Sequence, residues 1–284
     1  MAGQVQGVLG RKSKPDWSTL FFRRFMITTR QRIQMGRLIF GRLFGGDFFR
    51  HKPAKVAFLE QGLTLVIPGV EAAGPFADAM RKGLIRGDVP GAVKHYFWGL
   101  PFPEGYFPNL MWIHRNKTKG AELADQIKSY QENYPGRPVH LVANSGGAGP
   151  AIFALETLPE DHPIDGLVLL GGAVSCDYDL RKALKRTRKG ILNCYSHKDW
   201  LILGLCTKLL GTSDRQFKEA CGFAGFKTPA NLNGDTALYS KLRQIAWTPE
   251  LISECDHWGT HTTCASESFV ANYVAPWIKS SDGL

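Results

Sequence analysis

No stretch of this chain approaches the ~18 consecutive apolar residues that a membrane-spanning helix requires. Metal and nucleotide signatures are missing too. There is no C-x-x-C pair, no H-E-x-x-H, no G-x-x-x-x-G-K-[ST], and no G-x-G-x-x-G with an acidic follower. These absences argue against zinc, nucleotide or dinucleotide chemistry, so neither a metal nor an organic cofactor is expected. The first six residues, Met1 to Gln6, have no basic segment and no apolar core of a secretory signal, and Ala2 stands where myristoylation needs glycine. The six cysteines, at 176, 194, 206, 221, 255 and 264, are scattered, which fits reduced thiols in a cytoplasmic protein.

Acidic residues are scarce at one end. Residues 1–52 hold eleven Lys or Arg against only Asp16 and Asp47, a net of +9 out of the chain's +10. A whole-protein nucleic-acid role is therefore not expected, because the rest is nearly neutral. Within the basic segment Phe22, Phe25, Met26, Ile33, Phe40, Leu43 and Phe44 recur at helical period, with Arg24 and Arg42 opposite. Such a face can pack on the domain, meet a partner, or lie on an anionic membrane surface. The expected division is an amphipathic arm over 1–53 and one domain over 54–284, which at 44% hydrophobic content can bury a sizeable core.

From residue 55 onward, apolar runs alternate with helical patterns. Lys55–Leu59 and Leu63–Ile67 look like strands joined by a turn at Glu60-Gln61-Gly62. A helix is expected from Phe76 to Leu84, a strand at Ala92–Trp98, and an aromatic-rich loop through Trp112. A second helix follows from Ala121 to Tyr134. Continuous apolar runs at 139–143, 166–172 and 190–195 read as strands covered on both faces of a parallel sheet. Residues 200–235 suggest an inserted wall or lid. Ile245–Trp247 is a weak last strand, ahead of a closing helix at 266–278.

Val139-His140-Leu141-Val142-Ala143-Asn144-Ser145-Gly146-Gly147-Ala148-Gly149 organises the rest. It reads as an apolar strand, a turn of very small residues around one serine, and a helix start. On such a turn the backbone is strained and the hydroxyl projects, and only small residues fit two positions either side, here Ala143 and Gly147. The pattern A-x-S-x-G resembles the nucleophile elbow of the α/β-hydrolase superfamily, with alanine in place of the first glycine. The resemblance implies a mostly parallel central sheet with helices on both faces. It also implies partners in the chain order Ser…Asp…His, and an oxyanion hole from the N–H of Gly146 and of the loop Pro68-Gly69-Val70-Glu71, at Val70.

Acyl transfer by serine needs a base for the hydroxyl proton and a carboxylate to orient that base. Asp199, in the polar loop after the strand at 190–195, is the best-placed carboxylate, with Asp177 and Asp179 as alternatives. Gly259-Thr260-His261 resembles the turn that carries the family's base, so His261 is favoured, while His257 stays open as its rival. The expected activity is a serine esterase or lipase-like enzyme acting on a small-molecule or lipid acyl substrate. The alternatives are an acyltransferase and a non-catalytic binding or membrane-associated scaffold. The expected location is cytoplasmic, with peripheral membrane contact through the arm.

Overall fold

The computed structural model describes residues 56–71, 74–100, 106–200, 203–204, 207–229 and 235–281. The basic arm lies outside the described residues. Among the described residues six strands form one sheet: β1 (Leu63–Ile67), β2 (Ala92–His95), β3 (Val139–Asn144), β4 (Ile164–Leu170), β5 (Thr187–Tyr195) and β6 (Leu242–Ala246). Their order across the sheet is β2-β1-β3-β4-β5-β6, and every neighbouring pair is parallel. Parallel neighbours need crossovers, and the helices that supply these cover both faces.

Alternation along the strands divides the core in two. Leu63, Leu65 and Ile67 of β1, with Leu141, Ala143, Leu167 and Leu169, face helices α2 (Ile113–Asn133) and α3 (Ala148–Thr157) through Leu123, Ile127, Ile152 and Leu155. Val66, Val142, Val168, Leu170 and Leu192 face the other way. They meet Ala77, Met80 and Leu84 of α1 (Pro75–Arg86) and Phe269, Val270, Val274 and Trp277 of the last helical stretch. α1 starts at a proline, which loses nothing there because the first-turn N–H groups have no helical partner. The last stretch runs continuously through Glu267–Phe269, a π-helical Val270–Val274 and Ala275–Lys279. Pro276 has no N–H to give the helical ladder, and the widened turn directly precedes it.

One expected strand is absent. Val56–Leu59 is a helical turn rather than the first arm of a hairpin, and β1 instead pairs with β2 and β3. The apolar run was too short for periodicity to separate strand from helix. Other boundaries moved without changing the architecture. β2 stops at His95, α2 begins at Ile113 rather than 121, and Tyr106–Met111 within the expected aromatic loop is helical. Within 200–235 the described residues hold short helices at Thr207–Leu210 and Cys221–Ala224, and a bridge from Ser175 to Ala220 ties this segment to the loop after β4.

Candidate active site

Ser145 sits where β3 becomes α3, through the single 3-10 turn Ser145–Gly147. Its φ is +51°, in the left-handed region that side chains other than glycine rarely enter. That conformation costs on the order of 1–2 kcal/mol, so the surroundings must hold it in place. Asn144, buried just before it, donates from Nδ2 to the Leu170 carbonyl at 2.9 Å, and the Ser145 carbonyl accepts from Ala173 N at 2.9 Å. The small neighbours are sterically required. A side chain on Gly147 would start 2.3 Å from the Pro68 carbonyl oxygen, and one on Gly146 would start 2.5 Å from Val70 Cγ1 and 3.5 Å from Val70 N. The two loops are therefore in backbone contact, with the Val70 amide beside the residue that follows the serine.

Asp199 comes from the loop after β5 and His261 from the loop before the last helices. The three side chains meet. Ser145 Oγ lies 2.9 Å from His261 Nε2, and His261 Nδ1 lies 2.6 Å from Asp199 Oδ2. Asp199 is 6% exposed, so its carboxylate faces the imidazole with little competing water. The loops are tied to each other, since Ser196 Oγ donates to the Gly259 carbonyl at 2.7 Å and accepts from Lys198 N at 3.2 Å. Cys264 Sγ donates to the His261 carbonyl at 3.1 Å.

The rivals lie elsewhere. Asp177 pairs with Lys218 at 2.5 Å and Asp179 with Arg181 at 2.6 Å, and these cations hold both carboxyls below their ordinary range. His257 is 3% exposed. Its Nδ1 is 2.9 Å from Thr263 Oγ1, its ring meets the Phe269 ring at 4.8 Å, and its carbonyl accepts from the Trp247 indole at 2.7 Å. Burial pushes this imidazole down to about 4. His140, on β3 and far down the strand from the serine, is likewise pushed down to about 4 by burial.

Those two buried rings make stability depend on pH. Both imidazoles gain a proton in the unfolded chain near pH 6.5 but resist it in the fold. Their contribution is thus complete above pH 6.5 and is lost as pH falls toward 4. A gap of this size amounts to roughly 3 kcal/mol per ring. Melting temperature measured from pH 7.5 to pH 4 should therefore fall steeply below pH 6.5, and His257→Asn should flatten the slope. An unchanged slope in that variant would show that His257 does not resist protonation.

A cleft of about 540 Å³ opens between the Asp199 and His261 loops, lined by His197, Trp200, Ile252, Trp258 and Thr260 among others. The larger cleft, about 680 Å³, is at the opposite, amino-terminal ends of the strands, where Arg188, Lys189 and Arg243 line it. The smaller one lies at the carboxyl ends of the strands, where open parallel sheets carry their chemistry, and it borders the Asp199 and His261 loops without being lined by Ser145, Asp199 or His261. Two residues that sequence reasoning missed lie behind the Val70 loop: Trp98 Nε1 donates to the Pro68 carbonyl at 2.7 Å, and Asn109 Nδ2 to the Val70 carbonyl at 2.8 Å.

The sheet order, the strained serine after β3 and the acid after β5 define an α/β-hydrolase fold. No family model and no curated protein sequence matches the chain. Similar solved structures include Trichoderma reesei cutinase in complex with a C11Y4 phosphonate inhibitor, at 13% identity and TM-score 0.38, over 94% of this chain and 93% of that one. An acetylxylan esterase is 10% identical with TM-score 0.37, over 77% of this chain and 93% of its own. An uncharacterized protein from Bacillus cereus ATCC 10987 is 14% identical with TM-score 0.38, covering 72% and 56%. These are distant neighbours, and the assignment of fold rests on the topology.

Proposed function

We propose that this protein is a serine hydrolase that cleaves a carboxylic ester or related acyl substrate through an acyl-enzyme intermediate. The observation that carries this reading is the unbroken line Ser145 Oγ, His261 Nε2, His261 Nδ1, Asp199 Oδ2, with contacts of 2.9 and 2.6 Å. In the first step Ser145 Oγ attacks the acyl carbon while His261 Nε2 takes its proton. Asp199 holds Nδ1–H, fixes the ring's tautomer and stabilises the imidazolium. The carbonyl oxygen becomes an anion held by the N–H groups of Gly146 and Val70, which need no reorientation during the reaction. His261 then gives its proton to the departing alkoxide, and water repeats the sequence to free the acid.

A fluorophosphonate probe tests this reading. Folded protein should be labelled at a 1:1 ratio, with the adduct located by mass spectrometry on Ser145. Folded protein that stays unlabelled would instead be a non-catalytic relative using the same fold to bind.

The basic segment 1–53 sets where the enzyme works rather than how. Its +9 charge and aromatic periodicity suit an anionic lipid surface, where each Lys or Arg contributes about 1 kcal/mol and salt screens beyond ~8–10 Å. Among the described residues no helix is long and apolar enough to cross a membrane. Removing residues 1–52 should leave turnover of a small soluble ester within about an order of magnitude. It should also weaken salt-sensitive binding to anionic vesicles. If the truncated protein aggregates or melts far lower, the apolar face packs on the domain. Unchanged vesicle binding would assign the arm neither role.

A further inference from the structure

Three polar backbone atoms of the loop Pro68-Gly69-Val70-Glu71 are held by side chains, and they flank one peptide. The Pro68–Gly69 peptide is fixed at both ends. Its carbonyl accepts from Trp98 Nε1 at 2.7 Å, and its N–H donates to Glu71 Oε1 at 3.2 Å. The Val70–Glu71 peptide is fixed by its carbonyl, which accepts from Asn109 Nδ2 at 2.8 Å. Between them lies the Gly69–Val70 peptide, whose N–H belongs to Val70. With both neighbouring peptides immobilised, the only torsions able to turn this one are hinged at Gly69 and Val70, and Val70 is pressed against Gly146.

The clamp is itself supported. Asn109 is fully buried and uses both ends of its amide. Nδ2 also donates to the Leu100 carbonyl at 2.8 Å, while Oδ1 accepts from Leu100 N at 2.7 Å and from Arg115 Nη1 at 3.2 Å. Arg115 Nη2 donates to the Trp98 carbonyl at 2.6 Å, and Asn116 Nδ2 to the Asn109 carbonyl at 2.9 Å. Trp98 has no exposed surface. A buried polar network rigidifies what it touches where its members are bonded, and here the Asn109, Arg115 and Trp98 side chains are bonded while Asn116 Oδ1 is buried without a partner. Two of its bonds, from Trp98 Nε1 and Asn109 Nδ2, end on the backbone on either side of one amide, and the others brace Asn109 and the Trp98–Leu100 segment. Packing alone would not need it, since apolar side chains fill such space without desolvating an arginine and two asparagines.

We infer that Asn109, assisted by Trp98 and the Glu71 carboxylate, is the positioning residue that fixes the Val70 N–H as an oxyanion donor. The inference rests on the serine-hydrolase reading above and deepens it. A donor aligned before the reaction stabilises only the tetrahedral state, so loosening it should cost kcat and leave ground-state binding largely untouched. Loss of a whole donor costs about 10²–10³ in rate, so an unsteady one should cost about 10–100-fold.

Asn109→Asp keeps the shape and both bonds to Oδ1 while turning the Nδ2 donor into an acceptor facing two carbonyls. Trp98→Phe keeps a buried ring and removes the bond to Pro68. In each, kcat on a p-nitrophenyl ester should fall about 10–100-fold with KM within about threefold. The inhibition constant of an alkyl boronic acid, which becomes a tetrahedral anion on the serine, should rise in parallel. A purely structural role would lower the melting temperature without moving boronate affinity. Should Asn109→Asp fail to fold, Trp98→Phe decides alone. The inference is overturned if kcat and boronate affinity stay within about twofold of the parent, or if KM alone changes. A parent protein that neither turns over esters nor takes the fluorophosphonate label would overturn the serine-hydrolase reading itself, and the inference with it.

Discussion

Ser145→Ala should lower kcat by about 10⁴- to 10⁶-fold while leaving the protein folded, since removing a serine nucleophile forfeits the covalent route and leaves only binding and the oxyanion donors. The replacement removes one oxygen. At φ +51° an alanine is strained as the serine is, so stability should change little. Only the bond from Ser145 Oγ to His261 Nε2 disappears on the protein side. Comparing ester turnover and melting temperature in parent and variant checks this. Turnover that persists above a mock-purified control, with melting unchanged, would remove Ser145 as nucleophile and leave the Asp199–His261 pair without a nucleophile to serve.

Much of the fold was legible because its signals are local. The small residues Ala143 and Gly147 announced a close approach, which at Gly147 the structure explains by the Pro68 carbonyl packed against it. Continuous apolar runs marked β3, β4 and β5, because strands buried on both faces have no polar side to alternate with. β6 was faint for the opposite reason: as an edge strand it is half-exposed and carries Arg243 and Gln244. Lys55–Leu59 misled because four apolar residues fit either period.

The site was legible in part. Asp199 and His261 sit in loops, so no period places them; the strand end before Asp199 and the Gly259-Thr260-His261 turn, together with chain order after Ser145, singled them out. The structure brings them together from sequence positions far apart. The clamp behind Val70 was illegible, since Trp98 and Asn109 act through single hydrogen bonds to the backbone of another loop. Such bonds leave no trace in composition or spacing.

The two histidines four positions apart give the sharpest remaining contrast. His261→Ala should lose about 10⁴- to 10⁶-fold in kcat, because it removes the ring that bridges Ser145 Oγ and Asp199 Oδ2. His257→Ala should cost less than about tenfold in kcat and instead about 1–3 kcal/mol of stability. Its ring fills a buried place beside Phe269 and bonds Thr263 Oγ1, and Thr263 in turn accepts from Trp258 N at 3.1 Å. Each variant thus fails in a different assay, which separates the roles without assuming either. Added imidazole offers a second check: it should restore part of the turnover of His261→Ala by occupying the vacated space, and none of the stability of His257→Ala at the same concentration. Kinetics in which His257→Ala is the more damaged variant would reassign the base. Small and equal losses in both would dissolve the triad.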